Sequence, residues 1–416
     1  MKLDPPRNPN YAAMVVRVKS LVPLPNADRL LGLPLFGMQA IVGLNTQVGD
    51  LGVLFPTECQ LSEEYCRENN LFRHAELNAD KKTVGYLEDN RRVKAIKLRG
   101  NVSNALFMPL DSLAFAGTAD LQEGDTFDTL NGHEICCKYE VLTRVSGGAN
   151  RQLKKQDQRV DARMFPEQSD VHHWLREVEH VAADAMCVIT QKLHGCNIRI
   201  GNVLVKRKLS LVERVSKFFG ARVQDQEYSM VYGSHHAIKD ANNPAQQHFY
   251  DYDVWTDAGK RFDGLIPQGY VVYGELVGWT PEGKAIQAHY TYDQMPKTNE
   301  VYVYRVTFVN QQGVVVDLSW DAVKEFCQTI GAKHVPELDR KAARDIDLSW
   351  WMDKTFSKID WLKMCHPVPL SDDSPCDEGV CIRVEGMNPT IYKAKSPLFL
   401  GHETSMLDQG NAGEEA

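Results

Sequence analysis

Lys192-Leu193-His194-Gly195 says little alone, but three strings further along the chain surround its lysine with complementary chemistry. Tyr273-Gly274-Glu275 and Asp377-Glu378-Gly379 bring two separated carboxylates, and Lys393-Ala394-Lys395-Ser396 brings two cations. A lysine amine attacks phosphorus only when deprotonated, and nearby cations or a metal depress its pKa. Lys393 and Lys395 have equal parity on a strand, so both can enter one pocket, depress the pKa of Lys192 and neutralise a phosphate. Glu378 is the expected ligand of a hydrated magnesium ion near the same oxygens. Glu275 can accept hydrogen bonds from a ribose, Tyr304 offers a flat face to a base, and Gly195 lets backbone approach a nucleotide. Singly these residues are surface charges, a turn and core aromatics. In this order they predict transfer of a nucleotide onto Lys192.

The elements that must position them alternate between strand and helix. An apolar strand at 185–190 leads into Lys192, and 197–205 reads as its hairpin partner, with turn residues Gly201-Asn202. Strands follow at 270–277, 300–309, 380–384 and 391–394, with helices at 171–181, 209–219 and 321–330. Ahead of them, 11–135 reads as short strands with a helical patch at 62–74, which suits a small barrel of the OB type. Arg91, Arg92, Lys94, Lys97 and Arg99 either line a nucleic-acid groove or are solvated strand charges. The expected fold class is α+β. An OB-like barrel occupies 1–140, a basic linker 141–165, an antiparallel-sheet catalytic domain 166–410 and a disordered tail 411–416.

Composition bounds the alternatives. At 416 residues, with 43% hydrophobic and 25% charged, the chain has the makeup of a soluble protein of two or three domains. It has no apolar run long enough to span a membrane and no secretory signal at Met1, so a cytoplasmic location is expected. The ten cysteines lack zinc-site spacing and read as reduced thiols. A net charge of −8 argues against a wholly basic surface but leaves room for a local basic stripe.

The ordered strings resemble the covalent nucleotidyltransferase superfamily of RNA ligases, DNA ligases and mRNA capping enzymes. Lys192-Leu193-His194-Gly195 resembles the nucleophile motif, and His194 with Asn197 favours the RNA-ligase branch. Tyr302-Val303-Tyr304 resembles the base-stacking motif, Glu378-Gly379-Val380 the metal motif and Lys393-Ala394-Lys395 the phosphate motif. A barrel ahead of the catalytic domain is most similar to Deinococcus-type RNA ligases, whose N-terminal domain is an OB-fold. The resemblance implies that Lys192 takes AMP from ATP with Mg2+ or Mn2+, and that AMP passes to an RNA 5′-phosphate before a 3′-hydroxyl seals the strand. It implies nucleotide contacts from Gln191, Leu193, Gly195, Asn197, Glu275, Tyr304, Lys393 and Lys395, with Glu378 at the metal. The implied partner is RNA, as a nicked duplex with RNA on the 3′-hydroxyl side. Gln191 stands where many relatives have glutamate, Arg305 where other RNA ligases have aspartate, and His235 where arginine is common; Arg199 or Arg207 could take over from that arginine. DNA ligation, RNA capping and an inactive nucleic-acid-binding module are the alternative readings.

Overall fold

Alternation of small and branched apolar residues builds the N-terminal sheet from seven short strands: β1 (Ala13–Arg17), β2 (Val22–Pro23), β3 (Leu30–Leu35), β4 (Met38–Gly43), β5 (Leu51–Pro56), β6 (Ala105–Pro109) and β7 (Thr126–Phe127). Their order is β7-β1-β5-β6-β4-β3-β2, antiparallel except for the β4–β6 contact. Ala13, Val15, Val53 and Phe55 face one core, shared with Tyr65, Leu113 and Phe127. Val16, Leu33, Val42, Leu54 and Phe107 face a second core across the sheet. The two edge strands do not pair with each other, so the described residues form no closed barrel.

The computed structural model describes residues 3–118, 120–140, 157–168, 171–240, 243, 246, 249–250, 252–352, 356–358 and 366–409. The expected tail at 411–416 and most of the expected linker at 141–165 lie outside these. The chain divides into two compact units. The first comprises Met1–Thr143, His172–Glu179 and Lys395–Ala412; the second comprises Arg144–Val171, His180–Ala394 and Gly413–Ala416. In the first unit the helix Pro397–Asp408 is held by a buried cation. Arg92 donates to Glu58 (2.5 and 2.8 Å), to Asp408 Oδ1 (2.8 Å) and to the Thr404 carbonyl (3.2 Å). The Arg92 side chain is therefore buried and ion-paired within the unit. Lys94 pairs with Glu88 and Asp408, and Arg99 lies in a turn with φ of 51°.

The second unit holds two antiparallel sheets. One contains β8 (Met186–Lys192) between β14 (Glu337–Ala342) and β15 (Gly379–Val384), with β16 (Thr390–Lys395) beyond β15. The other runs β10-β9-β11-β12-β13, where β9 is Cys196–Lys206, β10 Gln226–Gly233, β11 Tyr270–Gly278, β12 Asn299–Val309 and β13 Val315–Asp317. The expected hairpin between 185–190 and 197–205 does not form. β8 pairs with β14 and β15, β9 pairs with β10 and β11, and Leu193–Gly195 carries the chain from one sheet to the other. Gly201-Asn202 is likewise inside β9 and not a turn, and Gly201 is small because the Phe165 ring packs against it. The helix expected at 171–181 shortens to Trp174–Glu177 followed by a single 3-10 turn. The helical patch at 62–74 shortens to Glu63–Glu68.

Candidate active site

Strand register brings the sequence motifs together. Lys192 is opposite Gly379 across the β8–β15 ladder, so its side chain emerges beside Glu378. Lys192 Nζ lies 2.8 Å from Glu378 Oε1, with the carboxylate side chain fully buried and the lysine side chain 18% exposed. His194 Nδ1 is 3.5 Å from the other Glu378 oxygen, and its ring stands edge-on to Tyr290 at 4.8 Å.

The second carboxylate comes from the other sheet. Asn197 is opposite Glu275 on the β9–β11 ladder. Glu275 Oε1 accepts a 2.8 Å hydrogen bond from the Gly195 amide, which ties the crossover to β11. Burial pushes the Glu275 carboxyl from 4.5 up to about 7; the Lys192 charge opposes the shift and the Glu378 charge adds to it. Glu275 thus senses both Lys192 and Glu378, with its own desolvation the largest influence.

Gly195 is required by close approach: a Cβ there would sit 2.3 Å from the Leu276 carbonyl oxygen. The same crossover is fixed by the His194 amide donating to the Tyr292 hydroxyl (2.6 Å) and by Gln287 donating to the Gly195 carbonyl (3.0 Å). Tyr304 owes its position to a β-bulge. Tyr273 pairs with Arg305 and Gly274 with Val303, leaving Tyr304 as the extra residue on β12. A bulge of this kind re-aims a side chain, and the Tyr304 hydroxyl accepts from Asn197 Nδ2. The buried Asn197 Oδ1 has no hydrogen-bond partner among the described residues. Buried polar atoms normally have one, so this oxygen is a ready acceptor for a ligand hydroxyl or amino group.

The other expected site residues are placed differently. Gln191 is buried, and its amide exchanges two hydrogen bonds with the Val368 backbone, at 3.0 and 2.7 Å. Leu193 is a buried apolar residue. Lys393 lies near enough to Cys381 to oppose, together with Lys192, the effect of burial that pushes that thiol to about 11. Lys395 Nζ pairs with Glu403 at 2.7 Å, within the first unit. Arg199 is buried and donates to the Ser234 and Phe165 carbonyls, Arg207 pairs with Glu213, and Arg305 makes a two-pronged bond to Asp317. Arg207 and Arg305 are thus engaged within the protein, while the buried Arg199 keeps one terminal nitrogen without a hydrogen-bond partner among the described residues. Tyr292, Gln287 and Tyr290 were not singled out from sequence, because no motif spacing distinguishes them from ordinary polar loop residues.

A lysine and two carboxylates are thus drawn from two antiparallel sheets of an α+β protein. The chain belongs to the RNA ligase family: the family model of that description matches residues 186–395, just over half of the 416-residue chain. Among solved structures, an RNA ligase from Naegleria gruberi with PPi aligns with a TM-score of 0.59 at 15% identity, covering 94% of this chain and 98% of that one. A lysine-to-alanine mutant of the Naegleria ligase with ATP and Mn aligns with a TM-score of 0.57 at 16% identity, covering 95% and 99%. A lysine-to-methionine mutant with AMP and Mn gives 0.57 at 17%, covering 94% and 98%. At such identities the likeness is one of fold. No curated protein matches the sequence.

Proposed function

We propose that this protein is an ATP-dependent RNA ligase that joins 3′-hydroxyl and 5′-phosphate ends through a lysyl-AMP. The observation that carries the proposal is the 2.8 Å pair between Lys192 Nζ and buried Glu378, with Glu275 bonded to the crossover that begins at Leu193. In the first step the Lys192 amine forms a bond to the α-phosphorus of ATP, and pyrophosphate leaves with the electron pair of the broken P–O bond. An oxygen of the RNA 5′-phosphate then attacks that phosphorus and returns the electron pair to Lys192. The 3′-hydroxyl finally attacks the 5′-phosphorus, and AMP leaves.

In this reading Glu275 and Asn197 meet the ribose and Tyr304 stacks on adenine. Lys393 neutralises the α-phosphate, with Lys395 as the second cation implied by the family motif. Gln191 acts by holding the Val368 segment and not by reading the base, since its amide is engaged there. Among the described residues no group of three or more His, Cys, Asp or Glu side chains could hold a metal by itself. Glu378 would hold a magnesium or manganese ion together with phosphate oxygens and water. Such an ion supplies charge neutralisation at the phosphates. Glu378 is also the 2.8 Å partner of the Lys192 amine, so loosening that contact must precede attack.

The N-terminal sheet supports assignment as an OB-like domain of a Deinococcus-type ligase. β1 and β2 are separated only by 18–21, yet they lie five places apart in the strand order β7-β1-β5-β6-β4-β3-β2. Such a jump between distant places in a sheet is in keeping with a small, partly open Greek-key barrel. The proposed substrate is a nick, with RNA on the 3′-hydroxyl side. The test is sealing of nicked duplexes whose 3′-hydroxyl strand ends in ribose or deoxyribose, alongside single-stranded RNA. Sealing confined to the ribose-ended nick supports the proposal. Equal sealing of the deoxyribose end, or none of any duplex, contradicts it.

A further inference from the structure

The segment between β9 and β10 contains a helix, Leu211–Phe218, with its apolar side turned to solvent. Ser210 starts it through a reciprocal capping box with Glu213, and none of its residues is buried. Leu211, Val212, Val215, Phe218 and the capping Phe219 are between 54% and 85% exposed. Their spacing of one, four, seven and eight residues from Leu211 puts all five on one helical face. The opposite face is turned toward its own hairpin, since Glu213 pairs with Arg207 at 2.5 Å and Lys217 with Asp225 at 2.6 Å. This reverses the usual arrangement, in which the apolar stripe packs on the core.

Between Lys206 and Glu227 six cations stand against three carboxylates. Lys206, Lys208, Arg214 and Arg222 are exposed, and none of them has an ion-pair partner among the described residues. Glu213 and Asp225 are both already paired, and Glu227, exposed on β10, lies near Arg207.

We propose that this helix docks the protein on an anionic lipid surface. A short, strongly two-sided helix with leucine and phenylalanine on one side and cations at its margins is the type that lies in a bilayer interface. Its back is occupied by its own hairpin, so a flat layer fits it better than a groove that would wrap it. The same face on a second copy would bring like charges together. Nucleic acid phosphates would satisfy the cations but leave Leu211, Val212 and Val215 without apolar cover. The docking is independent of the ligase reading, because no residue of the stripe is among those placed at Lys192.

The experiment is co-sedimentation of the full chain with vesicles of phosphatidylcholine alone and of equimolar phosphatidylcholine and phosphatidylglycerol. Lysine adenylylation is measured on the same samples, to separate docking from folding and from the ligase proposal. The anionic vesicles should pellet the protein, the neutral ones should not, and high salt should release it. Phe218→Ser/Phe219→Ser should partition at least about tenfold less, while keeping its adenylylation. Lys208→Glu/Arg222→Glu, which leaves the stripe intact, should lose about tenfold as well. Three results would overturn the proposal: no pelleting of the wild type, pelleting equal for wild type and both variants, or pelleting equal on neutral and anionic vesicles. Loss in the phenylalanine variant of single-stranded RNA binding or of self-association, without any vesicle binding by the wild type, would assign the face to RNA or to a second copy instead.

Discussion

Replacing Lys192 by methionine keeps the length of the side chain and removes its charge, which leaves the buried Glu378 carboxylate without its 2.8 Å partner. At an effective dielectric of about 20, two unit charges at this separation attract by about 6 kcal/mol. The cost of desolvating both groups cancels much of that, so the intact pair adds little net stability. Breaking it is a different matter, because the surviving carboxylate remains in a dry setting. Lys192→Met should therefore destabilise the second unit by about 3–5 kcal/mol. For a unit of this size that is a fall of roughly 10 °C in its melting transition. Glu378→Gln should cost less, since Lys192 is 18% exposed and keeps some contact with water. The double variant Lys192→Met/Glu378→Gln should recover most of the loss, giving a coupling energy of about 2 kcal/mol or more between the two positions. The assay is thermal and urea unfolding of the four proteins, followed by circular dichroism. Additive effects within about 0.5 kcal/mol, or a Lys192→Met variant as stable as the wild type, would refute the reasoning.

The remaining predictions concern the groups around the pair. Burial raises Glu275 from 4.5 to about 7, so the folded state binds its proton more tightly than the unfolded chain does. This contribution is fully present below pH 4.5 and is lost as pH rises through about 7, up to about 3 kcal/mol in all. Glu275→Gln should flatten that part of the urea midpoint's pH dependence, and an unchanged profile would remove the cause assigned here. Gly195→Ala places a Cβ 2.3 Å from the Leu276 carbonyl. It should cost about 2–4 kcal/mol and abolish adenylylation, as unfolding and label transfer would show. In the first unit, Arg92→Ala strips Glu58 of a bidentate partner and frees the end of helix Pro397–Asp408. The expected loss is about 3–5 kcal/mol, with faster hydrogen exchange across that helix than in wild type.

The sequence made the chemistry legible sooner than the topology. Lys192, Glu275 and Glu378 stand in short strings whose order is informative, and the strands carrying them are strongly apolar, so both residue types and element types could be read. Pairing was less visible. Strand 186–192 followed closely by 196–206 looks like a hairpin to any local reading, and only packing reveals that Leu193–Gly195 crosses between sheets. The close approach of the Leu276 carbonyl to Gly195 likewise depends on packing between β11 and the crossover, which no local pattern shows. The bulge that isolates Tyr304 depends on the register between β11 and β12, which periodicity does not specify. Arg92 read as one of a row of strand cations, yet its partners Glu58, Thr404 and Asp408 are remote in sequence, and no local pattern announces a buried arginine. The helix at 209–219 was legible as a helix, but its outward apolar face was not, because amphipathicity says that a stripe exists without saying where it points.

The central claim is that Lys192 becomes covalently joined to AMP. Wild type and Lys192→Ala would be incubated with magnesium and ATP labelled at the α-phosphate, then resolved on a denaturing gel. The account predicts label on the wild-type band, none on the variant, and discharge of the label when 5′-phosphorylated nicked RNA is added. An unlabelled wild type, or a variant labelled as strongly as the wild type, would contradict it.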